Sequence, residues 1–154
     1  MKIKGISNAR LPGRKGLHRI FMEEGQLKSI EPDSGQPTPG AWVDAAGGLV
    51  TPPFVDSHFH LDSVLSIDET GENESGTLLE GISLWKDYKK TLLPEQIFER
   101  ASRYCMEARR FGLQAVRSHV DVSYESLAGV EALTQRRTEL KDDLNIQLVA
   151  FPQD

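Results

Sequence analysis

The sequence predicts an α/β protein in which a small β-rich region is followed by three successive parallel βα units. Three observations carry this. Residues 1–50 hold only short alternating stretches broken by turns. The remainder alternates strand, helix, strand, helix, strand. The composition, 38% hydrophobic and 27% charged over 154 residues, is that of a chain able to bury a core.

In the N-terminal region, Lys2 to Ile6, Leu17 to Met22 and Gln26 to Ile30 read as strands, separated by Leu11-Pro12-Gly13-Arg14 and Glu23-Glu24-Gly25. The run Pro32-Asp33-Ser34-Gly35-Gln36-Pro37-Thr38-Pro39-Gly40 reads as a connecting loop. From residue 51 onward the first strand is expected over Phe54 to Leu61. A helix from about Pro94 to Phe111 follows, with Pro at its first turn, Ile97, Ala101, Tyr104, Ala108 and Phe111 on one face and Gly112 as its stop. The second strand is Ala115 to Val122. Ser123 is the candidate N-cap of a helix carrying Leu127, Val130, Leu133 and Leu140, with Arg137 interrupting the stripe. The third strand is Ile146 to Phe151. Trp85 and Tyr88, on a short helical stretch near Ile82, suit core packing.

Three parallel strands leave two open edges, and a complete (β/α)8 barrel takes about 250 residues. The chain is therefore expected to be a fragment of a longer protein or one piece of an assembly, poorly stable by itself. Two domains are expected, residues 1–50 as part of a β-sandwich-like domain and 51–154 as the N-terminal part of a barrel.

Several classes are disfavoured. A formal net charge of -5 opposes a nucleic-acid partner, because phosphate backbones are bound through clustered Lys and Arg. No run of about 18 apolar residues offers a membrane span, and no apolar h-region follows the N-terminal lysines, so a cytoplasmic location is expected. The single cysteine, Cys105, builds neither a disulfide framework nor a multi-cysteine zinc site; inert helix packing is its expected role.

Chemistry concentrates in Gly48-Leu49-Val50-Thr51-Pro52-Pro53-Phe54-Val55-Asp56-Ser57-His58-Phe59-His60-Leu61-Asp62. Alternation on a strand puts Asp56, His58, His60 and Asp62 on one face and Val55, Ser57, Phe59 and Leu61 on the other. Two imidazoles on one face can converge on one ion, although spacing alone leaves ordinary hydrogen-bonded histidines equally open. His119 and Asp121, alternating with Val120 and Val122, should face inward beside Arg117. They are candidates to orient a metal ligand or water, or for a salt bridge with Arg117. His18 is expected at the surface. The acidic stretch Asp68 to Glu74 should lie at the mouth of the barrel, as lid or solvated loop.

The Pro-rich entry and terminal His-x-His resemble the signature of the amidohydrolase superfamily. The resemblance narrows to barrel-fold cytosine deaminases of the bacterial kind in Asn8-Ala9-Arg10-Leu11-Pro12-Gly13, Ser75-Gly76-Thr77-Leu78-Leu79-Glu80-Gly81-Ile82, His119-Val120-Asp121-Val122-Ser123 and Val149-Ala150-Phe151-Pro152-Gln153. It implies a partial (β/α)8 metal-dependent hydrolase barrel and, in the full-length protein, deamination of cytosine to uracil and ammonia through a metal-activated water. It further implies one divalent ion, iron(II) or zinc, with His58 and His60 as ligands. Gln153 would hydrogen-bond the pyrimidine through its amide, and Leu78 would meet the base through its carbonyl. The other two ligands and the general acid/base groups would lie beyond Asp154, so the chain alone is expected to be inactive. The partner is a small nucleobase, with homo-oligomerisation left open. The alternatives are a related hydrolase of another cyclic amidine or amide, such as creatinine or a triazine, and a non-catalytic fragment that docks to a partner. The Pro-Cys-x-x-Cys motif of the other zinc deaminases is absent.

Overall fold

A computed structural model describes residues 3–123 and 125–152. The chain divides into two compact units, Met1–Pro52 and Pro53–Asp154, each taken separately below.

The first unit is a four-stranded sheet of order β3-β2-β1-β4, with β1 Gly5–Ala9, β2 His18–Glu23, β3 Gln26–Pro32 and β4 Trp42–Asp44. The first three strands are antiparallel neighbours, and β4 lies parallel to β1. The sequence reading has no counterpart to β4, whose three residues are too short to show alternation. His18 is buried rather than at the surface, because β2 opens with the run His18, Arg19 and Ile20 packed inside. The Pro/Gly-rich connection after β3 is tied down by Asp33. Its carboxylate accepts hydrogen bonds from the amides of Asn8 (2.8 Å) and Gly35 (2.9 Å) and from Nε of Arg19 (3.1 Å). These three donors, amides first, hold the Asp33 carboxyl below the ordinary aspartate range against the opposing effect of burial.

The second unit is α/β, with a parallel sheet of order β5-β6-β7: β5 Phe54–Phe59, β6 Leu113–Asp121 and β7 Asn145–Phe151. Between β5 and β6 come α1 Ile67–Thr70, α2 Leu78–Tyr88, a 3-10 turn Lys89–Thr91 and α3 Pro94–Arg110. Helix α4, Ala128–Glu139, joins β6 to β7. Pro94 starts α3, and the Gln96 side chain accepts the Leu93 amide at 3.0 Å, satisfying one of the donors a helix start leaves open. Gly112, at φ 89°, ends it in the left-handed backbone that glycine takes without strain. Ile97, Ala101 and Cys105 form the buried stripe of α3 and meet Val116, Val120, Leu133 and Ile146 in one core. Burial pushes the Cys105 thiol up to about 11, as an inert packing residue requires. Phe111 departs from the expected stripe: it lies beyond the last helical turn and is 79% exposed.

Helix α4 starts at Ala128, not after Ser123. Ser123 is occupied in a turn in which its amide donates to Oδ1 of Asp121 at 2.8 Å, its hydroxyl bonds the same oxygen, and it accepts from Nζ of Lys89 at 3.0 Å. Leu127 is consequently exposed, and the buried face of α4 is Ala128, Gly129, Ala132 and Leu133. Among the described residues no helix is long and apolar enough to cross a membrane.

Candidate metal and substrate site

Strand β5 ends at Phe59, so His58 is its penultimate residue and His60 begins the exit loop. The pairing of Phe59 with Ser118 on β6 sets His119 against them. The His58 and His60 ring centroids lie 5.5 Å apart, and His119 stacks on His58 at 3.9 Å with planes 19° apart. Phe151, at the end of β7, stands edge-on within 5.4 to 6.4 Å of all three rings. The four aromatic side chains thus gather at the C-terminal ends of three parallel strands, the end at which α/β barrels carry their sites.

Two imidazoles sharing one ion at a metal–nitrogen distance of about 2.0–2.1 Å have centroids roughly 5 Å apart, which the His58–His60 spacing matches. Neither ring is engaged in a side-chain hydrogen bond among the described residues, so both keep a nitrogen lone pair to offer. His119 is different. Two flat-stacked rings cannot both aim in-plane at one ion, and among the described residues no group of three His, Cys, Asp or Glu side chains forms a metal set. Burial, then the neighbouring His58 and His60, lowers the His119 pKa; its Nδ1 is buried without a partner.

The alternation expected through Asp62 stops with the strand. Asp62 is 3% exposed and turns beneath the first turn of α4, where a side chain at Gly129 would meet its Cβ at 3.3 Å. Its carboxylate accepts the amides of Asp121 (2.8 Å) and Ser63 (3.1 Å). Burial raises its pKa, opposed by the Asp121 amide and by His60. Asp56 stays local and accepts the His58 amide at 3.1 Å. Asp121 does not pair with Arg117, whose Nε donates to Oε1 of Gln147 at 2.7 Å. Its partner is Lys89, 2.7 Å away and equally buried. Burial alone would raise Asp121, but the bonds from Lys89 and Ser123 outweigh it and leave the carboxyl below its ordinary value.

Beside His60 opens a cavity of about 610 Å3, walled by Leu65, Ile67, Leu78, Ile82 and Trp85, with Ser63, Thr70, Gly71 and Asn73 among its polar members. Leu78 is thereby placed on the same cavity as His60. It begins α2, whose N-cap Thr77 accepts the Glu80 amide through its hydroxyl. Part of the acidic stretch also serves as cavity wall. Gln153 lies outside the described residues.

Parallel strands with grouped imidazoles at their C-terminal ends and a cavity alongside have the layout of a site in an α/β barrel. Residues 41–144 match the model of the amidohydrolase family, and the chain belongs to that family. It is 33% identical over 159 residues to N-isopropylammelide isopropyl amidohydrolase of a Pseudomonas species, covering 96% of this chain and 38% of that protein. It is 28% identical to pterin deaminase of Rhizobium rhizogenes, covering 93% and 34%. Among solved structures it resembles 5-methylcytosine deaminase from Klebsiella pneumoniae liganded with 5-fluorocytosine, with a TM-score of 0.90 and 40% identity over 96% of this chain and 36% of that one. N-isopropylammelide isopropylaminohydrolase from Burkholderia multivorans superposes with a TM-score of 0.78 at 26% identity, over 97% of this chain and 37% of that one. The chain thus spans little more than a third of the length of these relatives, and its second unit has the fold of a partial α/β barrel.

Proposed function

We propose that the intact protein carrying this chain hydrolytically deaminates a cytosine-class pyrimidine, releasing ammonia and leaving a uracil-class product. The observation that supports this best is the juxtaposition of two imidazoles, His58 and His60, with a cavity large enough for a ring substrate and walled by Leu78. His58 and His60 would hold one divalent ion, iron(II) or zinc. When bound, such an ion makes water acidic enough to furnish hydroxide near neutral pH and polarises the carbon under attack.

The chain's own side chains hold and orient. His119, stacked on His58, limits the tilt of that ligand, and Phe151 packs edge-on against the cluster. The largely apolar wall of Leu65, Ile67, Leu78 and Trp85 offers a surface against which a flat ring would pack. The Leu78 carbonyl and the Gln153 amide would meet the polar edge of the base, a Gln offering both a donor and an acceptor. The groups that move protons are assigned to no residue of this chain.

A second reading rests on the 33% identity to the ammelide hydrolase: loss of an alkylamine from an N-alkylated aminotriazine, the same substitution with a different leaving group. The deciding experiment is an amine-release assay on the intact protein with cytosine, 5-methylcytosine and N-isopropylammelide. Ammonia from the pyrimidines is expected, with His58→Ala and His60→Ala each lowering retained metal by about tenfold or more. Isopropylamine from the triazine alone selects the second reading, and no release from any of the three by metal-replete protein sinks both.

A further inference from the structure

Arg100 stands on α3, outside the cavity wall, and is 8% exposed. Yet its guanidinium contacts go to the segments that form that wall. Its Nε donates to the Val64 carbonyl (3.1 Å) and Nη2 to the Asp62 carbonyl (3.3 Å). Its Nη1 donates to the Glu69 carboxylate and to the Tyr88 hydroxyl, each at 3.2 Å, and the group lies 5.7 Å from the centre of the Tyr88 ring. Along the loop leaving β5 the roles alternate. Asp62 and Val64 turn their carbonyls to Arg100, whereas Ser63 and Leu65 between and after them line the cavity. Leu65 sits at φ 55°, left-handed backbone that a leucine adopts only where its surroundings impose it.

We infer that Arg100 is a positioning residue that pre-forms the cavity beside His60, by holding the loop of residues 62–70 in its strained shape against α2. The inference rests on the proposed binding role of that cavity. Only arginine suits the task, because a rigid planar fork of five N–H groups reaches carbonyls, a carboxylate and a hydroxyl at once, whereas a lysine ammonium is a point on a flexible stem. One anchor, Asp62, is two residues beyond His60, and two others, Glu69 and Tyr88, belong to α1 and α2. A pre-formed wall lowers the ordering cost of binding, so losing the clamp raises KM before it touches kcat.

The test compares Arg100→Lys and Glu69→Gln with the wild-type intact protein by hydrogen exchange, metal content and steady-state kinetics with cytosine. Amide exchange across residues 63–70 is expected to rise about tenfold in Arg100→Lys while β6 and the middle of α3 keep theirs. KM is expected to rise by a similar factor with kcat and metal content held, and Glu69→Gln, which leaves the buried carbonyl anchors intact, moves in the same direction by less. Unchanged exchange over 63–70 in both variants overturns the clamp. So does a global loss of protection and metal in Arg100→Lys with Glu69→Gln behaving as wild type, which marks a residue of general stability. Should the wild type leave cytosine untouched, the functional proposal fails, while the exchange data still judge the clamp.

Discussion

Three of the four histidines meet at one end of one sheet, and the fourth is buried in the other unit. His58 and His60 are legible in the sequence, because alternation on an apolar strand puts both on one side and the strand's end frees them. The approach of His119 is not, since it depends on the β5–β6 register that sets Phe59 opposite Ser118, a choice fixed by packing across the sheet. The Lys89 partner of Asp121 is hidden for the same reason: it comes from a turn 32 residues away. Charges announce themselves in a sequence, but their partners do not. Asp33 gives the residue-scale prediction. Its folded pKa lies below the unfolded value near 3.8, so its contribution to stability is present above that pH and is lost as pH falls through the folded pKa. Asp33→Asn should lower the thermal midpoint at neutral pH, and the gap to wild type should close on acidification below 3.8. A gap independent of pH in scanning calorimetry would assign the loss to packing instead.

At the scale of elements, the glycine that opens β1 has a stringent environment. A Cβ on Gly5 would stand 2.6 Å from the Ile20 carbonyl oxygen and 2.7 Å from the Trp42 indole. That indole is itself fixed, edge-on to Phe21 at 4.8 Å. Backbone on one side and a packed ring on the other leave no cheap adjustment, so Gly5→Ala should cost about 1–3 kcal/mol, the range of overpacked cores. Chemical denaturation with an unchanged m-value would measure it; a neutral substitution would mean that β4 moves freely against β1. Elements with strong periodicity or clear punctuation were readable: α3 is announced by Pro94 and Gly112, and β7 by its apolar run. The start of α4 was not, because Ser123 is a good N-cap candidate in isolation but is drawn into the Asp121–Lys89 cluster. Conversely, Thr77 and Glu80 carry a helix-start signature that marks α2 plainly, though Trp85 and Tyr88 suggested only a short helical stretch.

For the molecule as a whole, the governing fact is the state of the parallel sheet. Its order β5-β6-β7 leaves one side of β5 and one of β7 unpaired among the described residues, and Phe54 and Val55 on β5 are 65% and 68% exposed. Parallel strands are ordinarily covered on both faces and paired on both sides, because their backbone groups and β-branched side chains gain little from water. The chain covers 36% of the related 5-methylcytosine deaminase chain, in which the same strands belong to a longer polypeptide. The arrangement was foreseeable from the sequence, since three strand-like runs in a parallel rhythm cannot close a barrel. What the sequence could not specify is which side chains the open face presents. The residues 1–154 made as a separate polypeptide should therefore associate through these edges. Light scattering after size exclusion should show mass rising with concentration, and thermal unfolding should be broad. A monodisperse 17.2 kDa monomer with a sharp, reversible transition would show instead that the core around Val116, Leu133 and Ile146 suffices by itself, and that open edges in this fold are tolerated without a partner.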